Sequence, residues 1–439
     1  MYSIQSHLIA VAALLATVAV TAQPADTAGK TIGFSAIGAI ESGQIVQGKY
    51  RNDPLMHRIW QGRSVVNLTM SKTLANHFKG SVALEGELWY DTYARENNKD
   101  PITQLRPNTK INIREAQGSY GFFGLDKPYL ELSAGMFPYK YDPDARNLGE
   151  YLFRTGTYPG YIITNFDDPK AIVTGFRLGS TLAGSLRQDL IFSTERQIQP
   201  YHDFSLSYIL GYSPLSALGL GAGVSFNRLV SVNAAYTDPK KPGNQYVNSA
   251  GDTMYYTFRG TKLMARLTFD PKSFFGSSKR IFGPEDLHVY GEAAVLGVKD
   301  YPNSDPLIHP DYYGDLSKRI PVMVGFNIPA FRILDVLSLE AEWYGWEYPD
   351  IYYRLNQQDG SIMPVPSTFP ALQQHDYVLD NWKWSVYARK TFMNSFCITA
   401  QAARDHLRHR IVSELYNDEE GLLRTPGDWY WMLKLSMRI

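Results

Sequence analysis

The sequence predicts an all-β fold: a transmembrane antiparallel up-and-down β-barrel of sixteen strands, with short turns at one end and long loops at the other. Three observations predict it. The segment Asp428–Ile439 alternates strictly, with Trp429, Trp431, Leu433, Leu435, Met437 and Ile439 apolar and Lys434, Ser436 and Arg438 polar between them. A period of two with one apolar and one mostly polar face is a strand between two solvents. The connections sort by strand parity, long after odd strands and short after even ones, as in a barrel that enters and leaves a membrane. The tryptophans sort by strand direction, which a membrane interface explains and a soluble core does not require.

In chain order, the predicted strands begin with Thr31–Glu41, followed by Gly62–Leu74 and Phe78–Tyr90 around Ala75-Asn-His77. Lys110–Phe122 and Pro128–Pro138 flank a turn at 123–127, and Ala171–Thr181 and Ser185–Glu195 flank 182–184. Asp203–Tyr212 and Ala217–Asn227 come next, then Thr253–Phe269 and Asp286–Gly297, whose connection 270–285 has room for a short helix. Arg319–Ile328, Val336–Trp346, Trp382–Thr391, Phe396–Arg404 and Asp428–Ile439 complete the set. The weakest alternation is in Lys110–Phe122, where Glu115 and Gln117 share the side of Ile111. The long connections are 42–61, 91–109, 139–170, 228–252, 298–318, 347–381 and 405–427; the short 196–202 and the longer 270–285 depart from the rule. With this topology all eight tryptophans fall at the long-loop rim, while Phe78, Phe122, Phe123, Phe326, Phe392 and Phe396 lie near the short turns.

Residues 1–22 read as a signal peptide. Leu8–Val20 is a short apolar core, and Val20-Thr-Ala22 is a small-residue cleavage site. Thirteen apolar residues are too few to span a bilayer easily. The barrel then occupies 31–439. The 43 basic and 43 acidic residues cancel, which argues against a nucleic-acid partner. A single cysteine, Cys397, excludes an intramolecular disulfide framework. Mean hydropathy is −0.26, too low for a bundle of membrane helices.

The alternating strands, the parity-sorted loops and the aromatic girdles together resemble a Gram-negative outer-membrane porin-like barrel over residues 31–439. The final strand is similar to the signal such barrels present to their insertion machinery, here carried by Trp431, Leu433, Leu435, Met437 and Ile439. Met437 and Ile439 stand where that signal usually carries aromatics. The resemblance implies localisation in the cell outer membrane, contact with its lipid, and a homotrimer as the common assembly. It identifies no specific transporter family.

If the apolar faces meet lipid, the alternate faces line the lumen. They supply Glu85, Glu87, Glu131, Lys262, Arg266, Glu292, Glu340, Glu342, Lys383, Arg389, Lys434 and Arg438. Acidic and basic walls there would set up a transverse field. The segment Tyr139–Lys170 is unusually apolar for a loop, and a short helix starting near Asp144 would place Leu148, Tyr151 and Leu152 on one face. The resemblance implies that it folds inward and narrows the channel, with Asp142, Asp144, Arg146, Glu150 and Arg154 at the constriction. Asp405, His406 and His409 lie near a rim where a barrel enzyme would need its acid–base pair, but this spacing fits a polar loop better, and no enzymatic activity is expected. Nor is a metal or cofactor expected, since the histidines are scattered and Asp142-Pro-Asp144 lacks calcium-loop spacing. The expected function is passive diffusion of small polar solutes through a channel. The alternatives are a closed barrel serving as a surface adhesin or scaffold through its loops, and a soluble exported β-protein.

Overall fold

The computed structural model describes residues 32–46, 58–89, 108–126, 129–154, 162–164, 170–195, 202–230, 245–247, 253–255, 260–274, 281–298, 320–343, 382–405 and 429–439, with the isolated positions 317 and 427. The predicted signal segment 1–22 lies outside them.

Sixteen antiparallel strands close into a barrel. They are β1 (Gly33–Val46), β2 (Arg58–Leu74), β3 (Phe78–Trp89), β4 (Asn108–Gly121), β5 (Leu130–Tyr139), β6 (Lys170–Leu182), β7 (Leu186–Thr194) and β8 (Phe204–Leu215). The second half comprises β9 (Leu218–Val230), β10 (Gly260–Phe269), β11 (Val289–Val295), β12 (Val322–Asn327), β13 (Val336–Trp343), β14 (Trp382–Phe392), β15 (Phe396–Arg404) and β16 (Trp429–Arg438). A short strand, Ile162–Thr164, pairs with β6, and Gln245–Val247 pairs with Thr253–Tyr255 in a separate ribbon. That ribbon is why the tenth barrel strand starts at Gly260 and not at Thr253.

Closure is made by β1 and β16, in register from Ile37 opposite Arg438 to Val46 opposite Trp429. Two backbone hydrogen bonds extend it: Ala36 N donates to Ile439 O (3.0 Å) and Ile439 N to Ala36 O (2.9 Å). A barrel in lipid cannot leave strand edges unpaired, because no water is present to satisfy them. The sixteenth strand therefore does what its alternation requires: Leu433 and Leu435 face outward and are exposed, while Tyr430, Met432 and Lys434 face inward and are buried.

The same division runs around the barrel. Leu68, Met70, Val82, Leu84, Phe176, Leu178, Leu263, Leu267, Val324 and Phe326 are exposed apolar side chains on the outer face. Glu41, Glu85, Asp189, Lys262, Glu292, Glu340 and Glu342 are charged and buried on the inner one. This inversion of the usual soluble pattern is what an apolar surrounding solvent demands. At the short-turn end Phe78, Phe122, Phe123, Phe392 and Phe396 are exposed. At the long-loop end Trp343 stands opposite Trp382, and the rings of Trp384 and Trp429 lie 6.3 Å apart.

The imperfect alternation of the fourth strand has a local cause. The β3–β4 register shifts between Ala83 and Leu84, so that Ala83 faces Glu115 and Leu84 faces Ile113. Arg114 is the extra residue of a β-bulge, and the bulge reverses parity beyond it. Ile111 and Ile113 point outward and are exposed, whereas Glu115 bonds Ser81 and Gln117 Nε2 donates to Glu115 (2.8 Å), both among inward groups.

Leu433→Arg, midway along β16 on the outer face, is expected to lower unfolding free energy from lipid vesicles by about 2–4 kcal/mol. Ser436→Arg, on the inner face, is expected to cost far less. Denaturant titration of both variants measures the difference, and equal costs would contradict the assignment of faces.

Candidate functional site

The segment between β5 and the helix α1 (Tyr151–Arg154) lies inside the barrel, packed on its inner wall. The core shows this directly: Tyr141, Ala145, Leu148, Leu152 and Phe153 from the segment cluster with Val173, Ile191, Ile209, Met264, Tyr290, Ala294 and Met323 from β6–β12. Leu148, Tyr151, Leu152 and Phe153 are each no more than 2% exposed. Phe153 meets Tyr139 edge-on at 5.5 Å, a favoured aromatic geometry. The wall makes room through Gly223, where a Cβ would come within 2.7 Å of Leu152 Cδ1.

The expected helix from Asp144 does not form. Residues 140–150 are irregular, and the helix is confined to Tyr151–Arg154. Gly149 (φ 80°) and Glu150 (φ 57°) are both left-handed, which breaks any continuous right-handed turn. At Gly149 a Cβ would also lie 2.6 Å from Met323 Cε, so close packing and backbone shape both call for glycine.

An irregular backbone deep in a barrel must find acceptors for its N–H groups. Here three glutamates provide them. Glu340 of β13 accepts from the backbone N–H of Arg146 (2.5 Å), Asn147 (2.8 Å) and Leu148 (2.8 Å), and also from Tyr290 Oη (2.8 Å). Glu292 of β11 accepts from the N–H of Glu150 (2.7 Å) and Tyr151 (2.9 Å) and from Tyr141 Oη (2.6 Å). Within the segment, Glu150 accepts from the N–H of Tyr141 (3.0 Å) and Asp142 (3.2 Å). Side chains complete the attachment: Tyr151 Oη donates to Glu342 (2.8 Å), and Asn147 Nδ2 donates to Asp405 (2.6 Å).

The five residues expected at the constriction occupy different places. Asp142 is buried and lies 3.6 Å from Arg266. Burial pushes its carboxyl above the usual carboxylate range, with Arg266 opposing. Asp144 reaches the short-turn end, where it accepts from Thr268 Oγ1 (3.0 Å) and faces His288. Arg146 pairs with Glu285 of the turn at 270–288. Glu150 is spent on its own segment's backbone. The side chain of Arg154 lies outside the described residues.

Most of the expected lumen residues point inward. Glu85, Glu87, Lys262, Glu292, Glu340, Glu342, Lys383 and Lys434 are buried on the inner face, and Arg266, Arg389 and Glu131 are half-buried. Arg438 is exposed at the short-turn end. Among the described residues, acidic and basic side chains stand side by side on the inner face. The charges pair with strand neighbours: Arg63 donates to Glu41 (2.8 Å) and lies 3.4 Å from Glu87, and Lys434 lies 3.4 Å from Glu41. Arg114 pairs with Glu85, Arg177 with Asp189 (2.7 Å), and Arg228 with Asp203 (3.4 Å). Burial makes pairing the cheaper arrangement, since an isolated buried charge is costly. The sequence reading missed Arg63, Arg114, Asp189, Asn147 and Tyr141, placed Glu115 on the side of Ile111, and took Asp405 for part of a polar loop. Arg114 and Glu115 needed knowledge of the bulge. Asp189 alternates with Leu190, Phe192 and Gln188, and was legible from the pattern of Leu186–Thr194.

No protein-family model matches the chain, and no curated protein sequence matches it significantly. Solved structures do align along its length. Salmonella typhi OmpF in complex with daunomycin is 11% identical, with TM-score 0.46 over 94% of this chain and 98% of that one. A mutant of the Rh. blastica porin is 8% identical, with TM-score 0.44 over 93% and 100%. A triple mutant of the Rhodopseudomonas blastica porin is 7% identical, with TM-score 0.42 over 93% and 100%. The fold assignment rests on the strand register and closure described above.

Glu340→Ala removes the acceptor of three consecutive amides and is expected to weaken the local attachment by about 2–4 kcal/mol. Hydrogen exchange at 146–148 in the folded barrel is the measurement. Faster exchange there, with the strands still protected, is the expected result.

Proposed function

We propose that the protein is an outer-membrane channel through which small polar solutes diffuse passively, narrowed by the inward segment 140–154. The observation that carries this is a charged inner face on sixteen closed strands, with an internal segment anchored to one side of it. Barrels of about 16–18 strands have an interior wider than their own side chains fill, so the cross-section is set by what folds into it. The segment's bonds run to β10, β11, β13 and the end of β15, with apolar contacts across β6–β12. The passage would then run between the segment and the wall of β1–β4, past the half-buried Arg114 and Glu115, with the paired Glu41, Arg63, Glu85 and Glu87 buried beside it.

The exposed apolar outer face and the aromatic residues at both ends support insertion in a bilayer. Export through a cleaved signal at 1–22 belongs to the same reading. Selectivity would come from the width beside the segment and from the paired charges opposite, which hold fixed dipoles toward the passage. No catalytic role is proposed: Asp405 accepts from Asn147 and from Tyr430 Oη (2.6 Å), so it serves to hold the segment.

A second reading has its own observation. Glu41, Glu85, Lys434, Gln401 and Ser385 on the inner face are all nearly inaccessible. A closed barrel, working as an adhesin or scaffold through its loops, accounts for that. Conductance in planar bilayers decides between the two. Discrete channels are expected, and replacing 142–154 by a short Gly-Ser linker is expected to raise unit conductance at least about twofold. A folded, heat-modifiable barrel that stays electrically silent would reject the channel.

A further inference from the structure

His288 stands where the inward segment meets the turn at the short-turn end of the barrel. Its Nδ1 lies 3.4 Å from Asp144 Oδ1 on the segment, and its Nε2 lies 3.2 Å from Asp270 Oδ2 on the turn. A neutral imidazole has one N–H and one lone pair, so it donates to one of these carboxylates and turns a lone pair toward the other. The imidazolium carries an N–H on each nitrogen, so Nδ1 bonds Asp144 while the positive ring attracts Asp270 at ion-pair distance. The geometry therefore suits the charged ring, with one carboxylate on each of the two elements it joins.

The other groups around the ring fit that arrangement. Glu285, Asp144 and His288 bring oxygen and nitrogen atoms within 4.8 Å of one another, and Arg146 of the segment is bonded to Glu285. Lys272 lies 3.4 Å from Asp270 and donates to the carbonyls of Pro284 and Asp286. Thr268 of β10 holds the second oxygen of Asp144. Facing His288 are thus three carboxylates, with Lys272 and Arg146 each committed to one of them.

We propose that protonated His288 is a pH-dependent latch that fastens the tip of the inward segment to the turn 270–288, so that the barrel's constriction is held below a threshold pH and loosened above it. The functional half of this statement rests on the channel reading; the latch itself does not.

The direction of the pH effect follows from the local charges. The hydrogen bond to Asp144 holds the His288 imidazole above its ordinary pKa, against burial and Lys272 and with the charges of Asp144 and Asp270 adding to it. A raised histidine stabilises the closed arrangement fully below its ordinary value of about 6.5, and that contribution is lost as pH climbs through the raised value. Burial pushes the Asp144 carboxyl up, but the bond and charge of His288 and the bond from Thr268 outweigh it and leave it below the usual range. Its contribution is present above the ordinary carboxylate value and is lost as pH falls through the lowered one. The latch is therefore strongest between the two, and alkalinisation releases it by discharging the ring.

Hydrogen exchange over 144–148 in the full-length folded barrel, corrected for the intrinsic pH dependence of amide exchange, tests this. Raising pH from about 6 to about 9 is expected to reduce protection roughly three- to tenfold, the range a partly exposed, hydrogen-bonded ion pair supplies. H288Q is expected to show the reduced protection at both pH values. D144N, which keeps the ring and removes one charge, is expected to move the step to lower pH. Flat wild-type protection across this range, or a wild-type profile in H288Q, overturns the latch. Unit conductance measured in parallel is expected to rise over the same pH interval. A barrel with the exchange step but no conductance retains the latch and rejects the channel.

Discussion

Everything distinctive about this barrel depends on wall carboxylates accepting the backbone N–H groups of an irregular internal segment. A helix satisfies its amides internally and a strand through its neighbours; residues 140–150 form neither. Left unpaired away from water, each such group would cost on the order of 1–3 kcal/mol. Glu340 and Glu292 remove that cost for five backbone amides between 146 and 151. The arrangement is reciprocal, because the same amides give hydrogen-bond partners to two acidic side chains that would otherwise be buried without them. Apolar packing of Leu148, Leu152 and Phe153 supplies attraction, but the carboxylates set where along the wall the segment can rest.

The same rule, that buried charge must be partnered, shapes the rest of the interior. Arg63 between Glu41 and Glu87, and Arg177 beside Asp189, tie adjacent strands together across the pleat. Such pairs contribute little net stability, because desolvation offsets attraction. What they do is fix which side chains stand upright and which lie along the wall. At the segment's tip the partners are instead His288 and Glu285 of the turn, which meet Asp144 and Arg146 at a place only partly shielded from water. Attachment is thus permanent along the wall and conditional at one end.

Much of the fold was legible from alternation. The ranges of β3, β6, β14 and β15 differ from their expected bounds by at most one residue, since a two-residue period sampled by lipid on one side and polar groups on the other leaves little freedom. Two features were not. The bulge at Arg114 breaks the period, and a pattern read by parity then assigns Glu115 to the wrong side. The turn of Gly149 and Glu150 to the left-handed region follows from contacts with Met323 and Glu292, which lie over 140 residues away in sequence. The expectation that 139–170 folds inward came from resemblance and from its apolar content, and the described residues 140–154 lie inside the barrel. Which wall glutamates would receive it had no local signal, because Glu292, Glu340 and Glu342 look alike as inward-facing acids.

The segment is held inside the barrel against its far wall. Asn147 and Asp405, 258 positions apart in sequence, meet there at 2.6 Å. Cysteines at both positions, in a background with Cys397→Ser, test this most directly by oxidation of the folded protein in lipid followed by non-reducing electrophoresis. Rapid, intramolecular crosslinking into a covalent loop of altered mobility is the expected result. Two thiols that stay free while the barrel remains folded would contradict it.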